Sequence, residues 1–227
     1  MSKFVLFDID HTLIDSGGSG AMALNLAFQE MTGISNGFAG IGFAGKTDLR
    51  IIRDGLEKNE IQIQDGWLGT FLDIYLLHLR TATEKGMGHV KPGIRDLLER
   101  LVANQDFHLG LLTGNIEKGA RTKLEPFGLN SFFPIGAFGS DSEDRNDLLP
   151  LAVQRLAANS SVSVTYSDCV IIGDTPLDVA CAKIHGAQSI AVATGPYTLE
   201  NLQSTATDLA LRDLSETSEI INWLKSH

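Results

Sequence analysis

Near the start of the chain, Phe4-Val5-Leu6-Phe7 form an uninterrupted apolar run that stops abruptly at Asp8-Ile9-Asp10. A strand with one face in water alternates apolar and polar residues. A run that is apolar throughout suits a parallel sheet covered on both sides. Similar short runs recur at Leu109-Gly110-Leu111-Leu112, Cys169-Val170-Ile171-Ile172 and Ile190-Ala191-Val192-Ala193, with a weaker one at Ile135-Gly136-Ala137-Phe138. Between them, apolar residues fall at helical spacing. One such face is Ile94, Leu97, Leu98 and Leu101, a second is Leu149, Ala152, Val153 and Leu156, and a third is Leu177, Ala180, Cys181 and Ile184. From about residue 90 onward the alternation of strand and helix predicts βαβ units. The expected fold is α/β, with a Rossmann-like parallel sheet core and helices on both faces.

Residues 15–88 break that rhythm. Leu24, Ala27, Phe28 and Met31 mark one helix, and helical patterns over 47–58 and 67–84 follow with no strong strand between them. Trp67, Phe71 and Tyr75, at i, i+4 and i+8, are expected to pack these helices together. Small residues bound the stretch at Ser16-Gly17-Gly18-Ser19-Gly20 and at Gly86-Met87-Gly88. They suit a two-strand hinge, and ordinary surface loops use the same residues. The predicted organisation is an α/β core of residues 1–15 and 88–227 with an inserted all-helical cap domain, 16–87.

A length of 227 residues fits one or two domains. The chain has 18 Lys and Arg against 28 Asp and Glu, a formal charge of −10, with no basic run. An acidic surface of this kind repels a phosphate backbone, so nucleic acid is not an expected partner. With 43% apolar residues there is enough for a real core. No stretch approaches the roughly 20 apolar residues of a membrane span, so no membrane partner is expected. The run before Asp8 is too short for a secretory signal and lacks a cleavage site. The two cysteines, Cys169 and Cys181, fit neither a zinc nor a redox motif, and the six histidines lack ligand spacing. A cytoplasmic protein is expected.

The chemistry gathers at strand ends. Ligands of open parallel sheets bind beyond the carboxyl ends of the strands, which is where Asp8 and Asp10 fall. Period two puts both on one side of an extended segment. Two adjacent carboxylates favour a shared proton or a bound cation, and an all-oxygen site suits Mg²⁺. Taken alone, the pair fits a strand-capping turn equally well. The second strand ends in Thr113-Gly114-Asn115, a hydroxyl and bare amides suited to an anion, although plain helix capping explains them too. The fourth ends in Gly173-Asp174-Thr175-Pro176-Leu177-Asp178. Thr175 and Pro176 read as the N-cap and first residue of a helix. Capping accounts for Asp178 and leaves Asp174 without a structural duty.

Together these residues resemble the haloacid dehalogenase superfamily, in its phosphoglycolate-phosphatase-like branch with an inserted helical cap. Phe7-Asp8-Ile9-Asp10-His11-Thr12-Leu13 matches the first motif, Leu112-Thr113-Gly114-Asn115 the second, and Ile172-Gly173-Asp174-Thr175-Pro176-Leu177-Asp178 the fourth. The third motif is normally a lysine, and none lies between Lys123 and Lys183. Arg145 is the best substitute, because arginine stays charged and binds phosphate bidentately. A surface pairing of Arg145 with Asp141, Glu143 or Asp144 is the competing reading, and Arg155 is the weaker alternative. His11 stands where the family usually has glycine.

The resemblance implies a Mg²⁺-dependent phosphomonoester hydrolase for a small phosphorylated metabolite, acting through an aspartyl phosphate. Asp8 is the implied nucleophile. Asp10 is the implied acid and base, which calls for a raised pKa. Metal ligation is implied for Asp8, the Asp10 carbonyl and Asp174, with Asp178 orienting them. Thr113, Gly114, Asn115 and Arg145 are implied to hold the phosphoryl group. Gly45-Lys46-Thr47-Asp48 resembles the family's specificity loop, with Lys46 a candidate substrate anchor; a solvated helix start explains the same residues. Asp10 favours phosphate esters over carbon–halogen or carbon–phosphorus substrates. A β-phosphoglucomutase-like sugar phosphomutase and a weakly catalytic phosphate-binding regulator remain as alternatives. The assembly, monomer or homodimer, stays open.

Overall fold

The computed structural model describes residues 2–86, 88–159 and 164–227. Met1, and Met87 of the second glycine junction, lie outside the described residues. In chain order the elements are β1 (Lys3–Phe7), β2 (Ile14–Asp15), α1 (Ser19–Thr32), α2 (Asp48–Lys58), α3 (Trp67–Glu84), β3 (His89–Val90) and α4 (Ile94–Val102). They continue with β4 (Phe107–Thr113), α5 (Glu117–Leu124), β5 (Ile135–Phe138), α6 (Leu148–Asn159), β6 (Cys169–Gly173) and α7 (Pro176–Ile184). β7 (Gln188–Val192), α8 (Leu199–Gln203), β8 (Leu209–Leu211) and α9 (Thr217–Ser226) complete the fold.

Six strands form one parallel sheet in the order β5-β4-β1-β6-β7-β8. Numbered among themselves along the chain, these are strands 3-2-1-4-5-6, the doubly wound order. Every residue of β1 is buried, because its side chains alternate between two covered faces. Val5 and Phe7 enter a core built with Ile94, Leu97, Leu98 and Leu101 of α4 and with Ile220 and Leu224 of α9. Phe4 and Leu6 enter a second core with Leu148, Leu149, Ala152 and Leu156 of α6 and Cys181 of α7. A sheet with helices on both faces is therefore what the continuous apolar runs encode.

A third core joins α1, α2 and α3 through Phe28, Ile52, Phe71 and Tyr75, with Phe38 from the α1–α2 loop and Ile116 from the loop after β4. Phe71 stacks on Trp67, with ring centroids 5.0 Å apart. Where the chain leaves and re-enters the sheet layer, β2 and β3 pair antiparallel through Ile14–Val90 and Asp15–His89. No helix among the described residues is long and apolar enough to cross a membrane.

The helical face predicted for α7 is wrong. Leu177 and Ile184 are 43% and 66% exposed, and Ala180 is exposed too, while Asp178, Val179, Cys181 and Ala182 are buried. The N-terminal turn explains the rotation. Thr175 caps the helix, and Asp178 returns its carboxylate to the Thr175 amide and hydroxyl at 3.0 and 2.7 Å. That box, together with an inward partner for Asp178, turns 178/181/182 toward the sheet. Apolar periodicity alone could not weigh this against Leu177 and Ile184.

Ile184→Ala is accordingly expected to change stability by less than about 0.5 kcal/mol. Ile94→Ala, at a fully buried position, should cost about 2–5 kcal/mol. Thermal unfolding of the two variants checks this; equal losses would restore the predicted face.

Candidate active site

The reversal of strand order lies between β1 and β6, where an open sheet leaves a crevice beyond its carboxyl edge. Asp8 is the first residue past β1 and Asp174 the first past β6. Their strands are neighbours in register, and the Asp8 amide donates to the Ile172 carbonyl at 3.0 Å. Asp178 arrives from the first turn of α7. One carboxylate oxygen from each of Asp8, Asp174 and Asp178 lies within 4.8 Å of the others, and all three residues are buried.

Arg145 enters the same cluster from a single helical turn between β5 and α6. Its guanidinium lies 3.2 Å from Asp8 Oδ1 and bonds closely to Asp178 Oδ1. It also donates to the Leu112 and Gly45 carbonyls at 3.3 and 3.2 Å. Arg155 instead makes a two-point pair with Asp141, at 2.6 and 2.8 Å, away from the acids. The charge on Arg145 is held firmly, because Asp178 and Asp8 oppose the burial that would otherwise favour its loss.

Were all three carboxylates ionised, one guanidinium would leave two negative charges uncompensated. Asp174 Oδ2 is buried and has no hydrogen-bond partner among the described residues. Burial first, then Asp178 and Asp8, push the Asp174 carboxyl up to about 9; burial likewise raises Asp8 to about 6 against the opposing pull of Arg145. Hard oxygen donors and an orphaned acceptor fit a divalent cation such as Mg²⁺.

Asp10 sits apart from this cluster. Its Oδ2 accepts from Lys123 Nζ at 2.6 Å and Asn115 Nδ2 at 2.9 Å, and its Oδ1 from Ser16 at 2.9 Å. The raised pKa expected of Asp10 is not found. Burial raises it, but Lys123 and the donated hydrogen bonds outweigh burial and hold the carboxyl below the usual value. Lys123 was not a candidate from the sequence. Its signal was a lysine on the buried face of α5, beside Gly119, Ala120 and Leu124.

The Thr113-Gly114-Asn115 turn also departs from expectation. α5 begins only at Glu117, so its first amides are not at Gly114 and Asn115. The Ile116 amide is taken by Asp48 Oδ2 at 2.9 Å and the Glu117 amide by Ser140 at 3.2 Å. The protein's own side chains thus occupy the helix start. Thr113 lines the same cavity as Asp8, and its hydroxyl accepts from Asn115 Nδ2 at 2.9 Å.

Gly45-Lys46-Thr47-Asp48 lies directly over that turn. The Asp48 amide donates to the Gly114 carbonyl at 2.7 Å, and the Thr47 hydroxyl to Glu143 O at 2.8 Å. A methyl group on Gly114 would lie 2.0 Å from the Lys46 carbonyl, so only glycine permits this approach. The residues also start α2, with Thr47 as its N-cap. The helix start is observed, but Thr47 and Asp48 are buried rather than solvated. Lys46 Nζ is engaged by Asp54 at 2.7 Å. His11 adopts φ 62°, the left-handed conformation that glycine takes without strain, which explains the residue type usual there.

Between the loop and the strand ends lies a cavity of about 150 Å³. Asp8, Asp10, Lys46, Thr113, Lys123 and Arg145 are among its lining residues. A cavity of about this volume elsewhere holds one benzene-sized ligand.

Residues 5–192 match the family model of the haloacid dehalogenase-like hydrolases. Among curated proteins, the chain is 26% identical over 226 residues to a phosphoglycolate phosphatase of Chromobacterium violaceum, covering 96% of each chain. Among solved structures it is similar to a predicted phosphatase from Clostridium acetobutylicum (TM-score 0.71, 22% identity, 98% and 99% coverage). It is also similar to CbbY from Rhodobacter sphaeroides in complex with phosphate (TM-score 0.72, 18% identity, 95% and 96% coverage).

A carboxyl whose folded pKa is raised adds stability below its unfolded value and loses it as pH rises through the folded one. Without divalent ions, the Asp8 contribution should fade through about pH 6 and that of Asp174 through about pH 9. Asp174→Asn should therefore unfold at the same temperature as wild type near pH 4 and at a higher one at pH 9, by about 2–4 °C for each kcal/mol in a chain of this size. Mg²⁺ should raise the wild-type midpoint at pH 8 and leave that of Asp174→Asn unmoved. Thermal melts at each pH decide it; a wild type indifferent to Mg²⁺ would remove the cation site.

Proposed function

This chain belongs to the haloacid dehalogenase-like hydrolases, and on that premise we propose that it hydrolyses the phosphate monoester of a small, phosphoglycolate-like metabolite. The observation that carries this reading is Arg145 joined to Asp8 at 3.2 Å inside a cavity that Asp10 also lines. An ionised carboxylate beside a fixed cation can attack phosphorus while the cation bears the charge on the phosphoryl oxygens.

In the first step an Asp8 oxygen bonds to phosphorus as the ester P–O bond breaks. The departing oxygen takes the bond's electron pair and a proton that Asp10 must first take up from solvent, because Lys123 otherwise holds it as a carboxylate. In the second step water attacks the aspartyl phosphate, Asp10 receives the proton, and the Asp8–phosphorus bond breaks to release phosphate. The pull of Lys123 suits Asp10 to the second step, where a carboxylate must accept a proton. Arg145 and the Thr113 hydroxyl hold the phosphoryl group through both steps. A divalent cation, with Mg²⁺ the best match, would be held by Asp8, the Asp10 carbonyl and Asp174 and would supply charge neutralisation at the phosphoryl oxygens. Asp178 serves that site by fixing Arg145 and the turn that carries Asp174.

Residues 16–87 act as the cap, with the 45–48 loop excluding water and meeting the leaving group. A cavity near 150 Å³ suits an ester of a few carbons better than a hexose phosphate, which speaks against the phosphomutase reading. A binding or regulatory protein would have no use for an Asp10 held by three donors. Two free, buried cysteines fit a reducing cytoplasm.

Asp8→Asn is expected to abolish phosphate release from phosphoglycolate while keeping the wild-type circular dichroism spectrum. Arg145→Ala should lower kcat/KM at least a hundredfold, about 2.7 kcal/mol of transition-state stabilisation. A panel of phosphorylated metabolites, with and without Mg²⁺, should favour two- and three-carbon esters over hexose phosphates at least tenfold. Turnover by Asp8→Asn, or a preference for hexose phosphates, would overturn the reading.

A further inference from the structure

Lys123 is 5% exposed, and its stem runs from the inner face of α5 into the cavity. Withdrawing an ammonium from water costs several kcal/mol unless good partners replace the solvent. Its partners are Asp10 Oδ2 and Asn115 Oδ1, each at 2.6 Å. Asn115 closes the ring by donating Nδ2 to the same Asp10 oxygen at 2.9 Å and to Thr113 Oγ1 at 2.9 Å. Each link restricts the next, so the Asp10 carboxylate has little freedom to rotate. The ring also touches the helical layer: a methyl group on Gly20, in the first turn of α1, would lie 2.8 Å from Lys123 Nζ and 3.2 Å from Cε. The phosphoryl end of the cavity is served by Arg145, which leaves Lys123 free of that duty.

We propose that Lys123 is a positioning residue for Asp10, holding its carboxyl at the angle required for proton transfer only while α1 is seated against the ammonium. The inference rests on the reading of Asp10 as the group that protonates the leaving oxygen. Asp10 takes up a proton from solvent before the step, and as the ester P–O bond breaks that proton passes from Asp10 to the departing oxygen. Asp10 is left as a carboxylate facing the Lys123 ammonium. The lysine itself forms and breaks no covalent bond.

A leaving group that departs without a proton separates positioning from binding. Phosphoglycolate releases an alcohol and needs the proton; acetyl phosphate releases acetate and does not. In Lys123→Met, kcat/KM for phosphoglycolate should fall at least fiftyfold and that for acetyl phosphate less than fivefold, with KM for both within threefold of wild type. Asp10→Asn should show the same selectivity, and Gly20→Ala, which crowds the ammonium without removing it, a smaller version near fivefold. Equal losses on both substrates in Lys123→Met would overturn the proposal and make Lys123 a phosphate ligand or a structural residue. If Lys123→Met does not fold, Gly20→Ala decides: a loss without selectivity overturns the proposal, a selective one supports it. Selectivity in Asp10→Asn with none in the other two would reject the role of Lys123 and keep that of Asp10. No selectivity in Asp10→Asn would reject the role of Asp10 itself.

Discussion

Everything at the edge of this sheet depends on carboxylates crowded away from water. Asp8, Asp174 and Asp178 bring three charges within 4.8 Å of one another, and Arg145 offsets one of them. Such an arrangement is costly in a folded protein that gains nothing from it. The buried pair Arg145–Asp178 limits the cost, since Asp178 is satisfied on both oxygens by the guanidinium and by the Thr175 cap. Asp174 has no such relief, and its carboxyl is the one most strongly driven toward protonation. The site is therefore poised for a cation and an anion together. The excess negative charge calls for the first, and the fixed guanidinium beside Asp8 for the second.

The cores on either side of the sheet make that crowding possible. β1 and β6 are buried throughout and paired in register from Phe4–Cys169 to Phe7–Ile172. Their carboxyl ends cannot separate without breaking both apolar layers. Rigid strands thus deliver the repelling groups, and the repulsion is met by packing energy from residues that take no part in the chemistry. The α7 face shows the same ordering of priorities. Asp178 turns inward, and the apolar Leu177 and Ile184 are left exposed.

Apart from Ile116, which joins its apolar core, the helical layer meets the strand ends through small and polar contacts. Gly114 lets two backbones come together, Gly45 lies against the Thr175 and Leu177 side chains, and Asp48 and Thr47 tie α2 to the loops after β4 and β5. Polar, glycine-dependent contacts of this kind separate at less cost than an apolar core would. They suit a surface that opens and closes over a ligand. Lys123 lies beneath the same junction, which is why its environment spans α1, α5 and the strand ends.

Much of this was legible in the order of residues. Short apolar runs encode strands buried on both faces because the side-chain period of a strand is two, and a helix start announces itself through Thr175, Pro176 and Asp178. Local chemistry of that sort also marks Asp8, Asp10, Thr113 and Asp174 as strand-end residues and gives the family resemblance that the matched model supports. Arg145 was brought to Asp8 only through the family resemblance, and the engagement of Lys46 by Asp54 and the ring around Lys123 were not legible. Each joins residues from different elements, and no local pattern records which distant partner a charged side chain will meet. The shift of Asp10 shows why: its sign depends on an ammonium 113 residues away along the chain. Local propensity and periodicity determined the elements and the chemical inventory, while folding in three dimensions decided the partners, because charge and burial act through space.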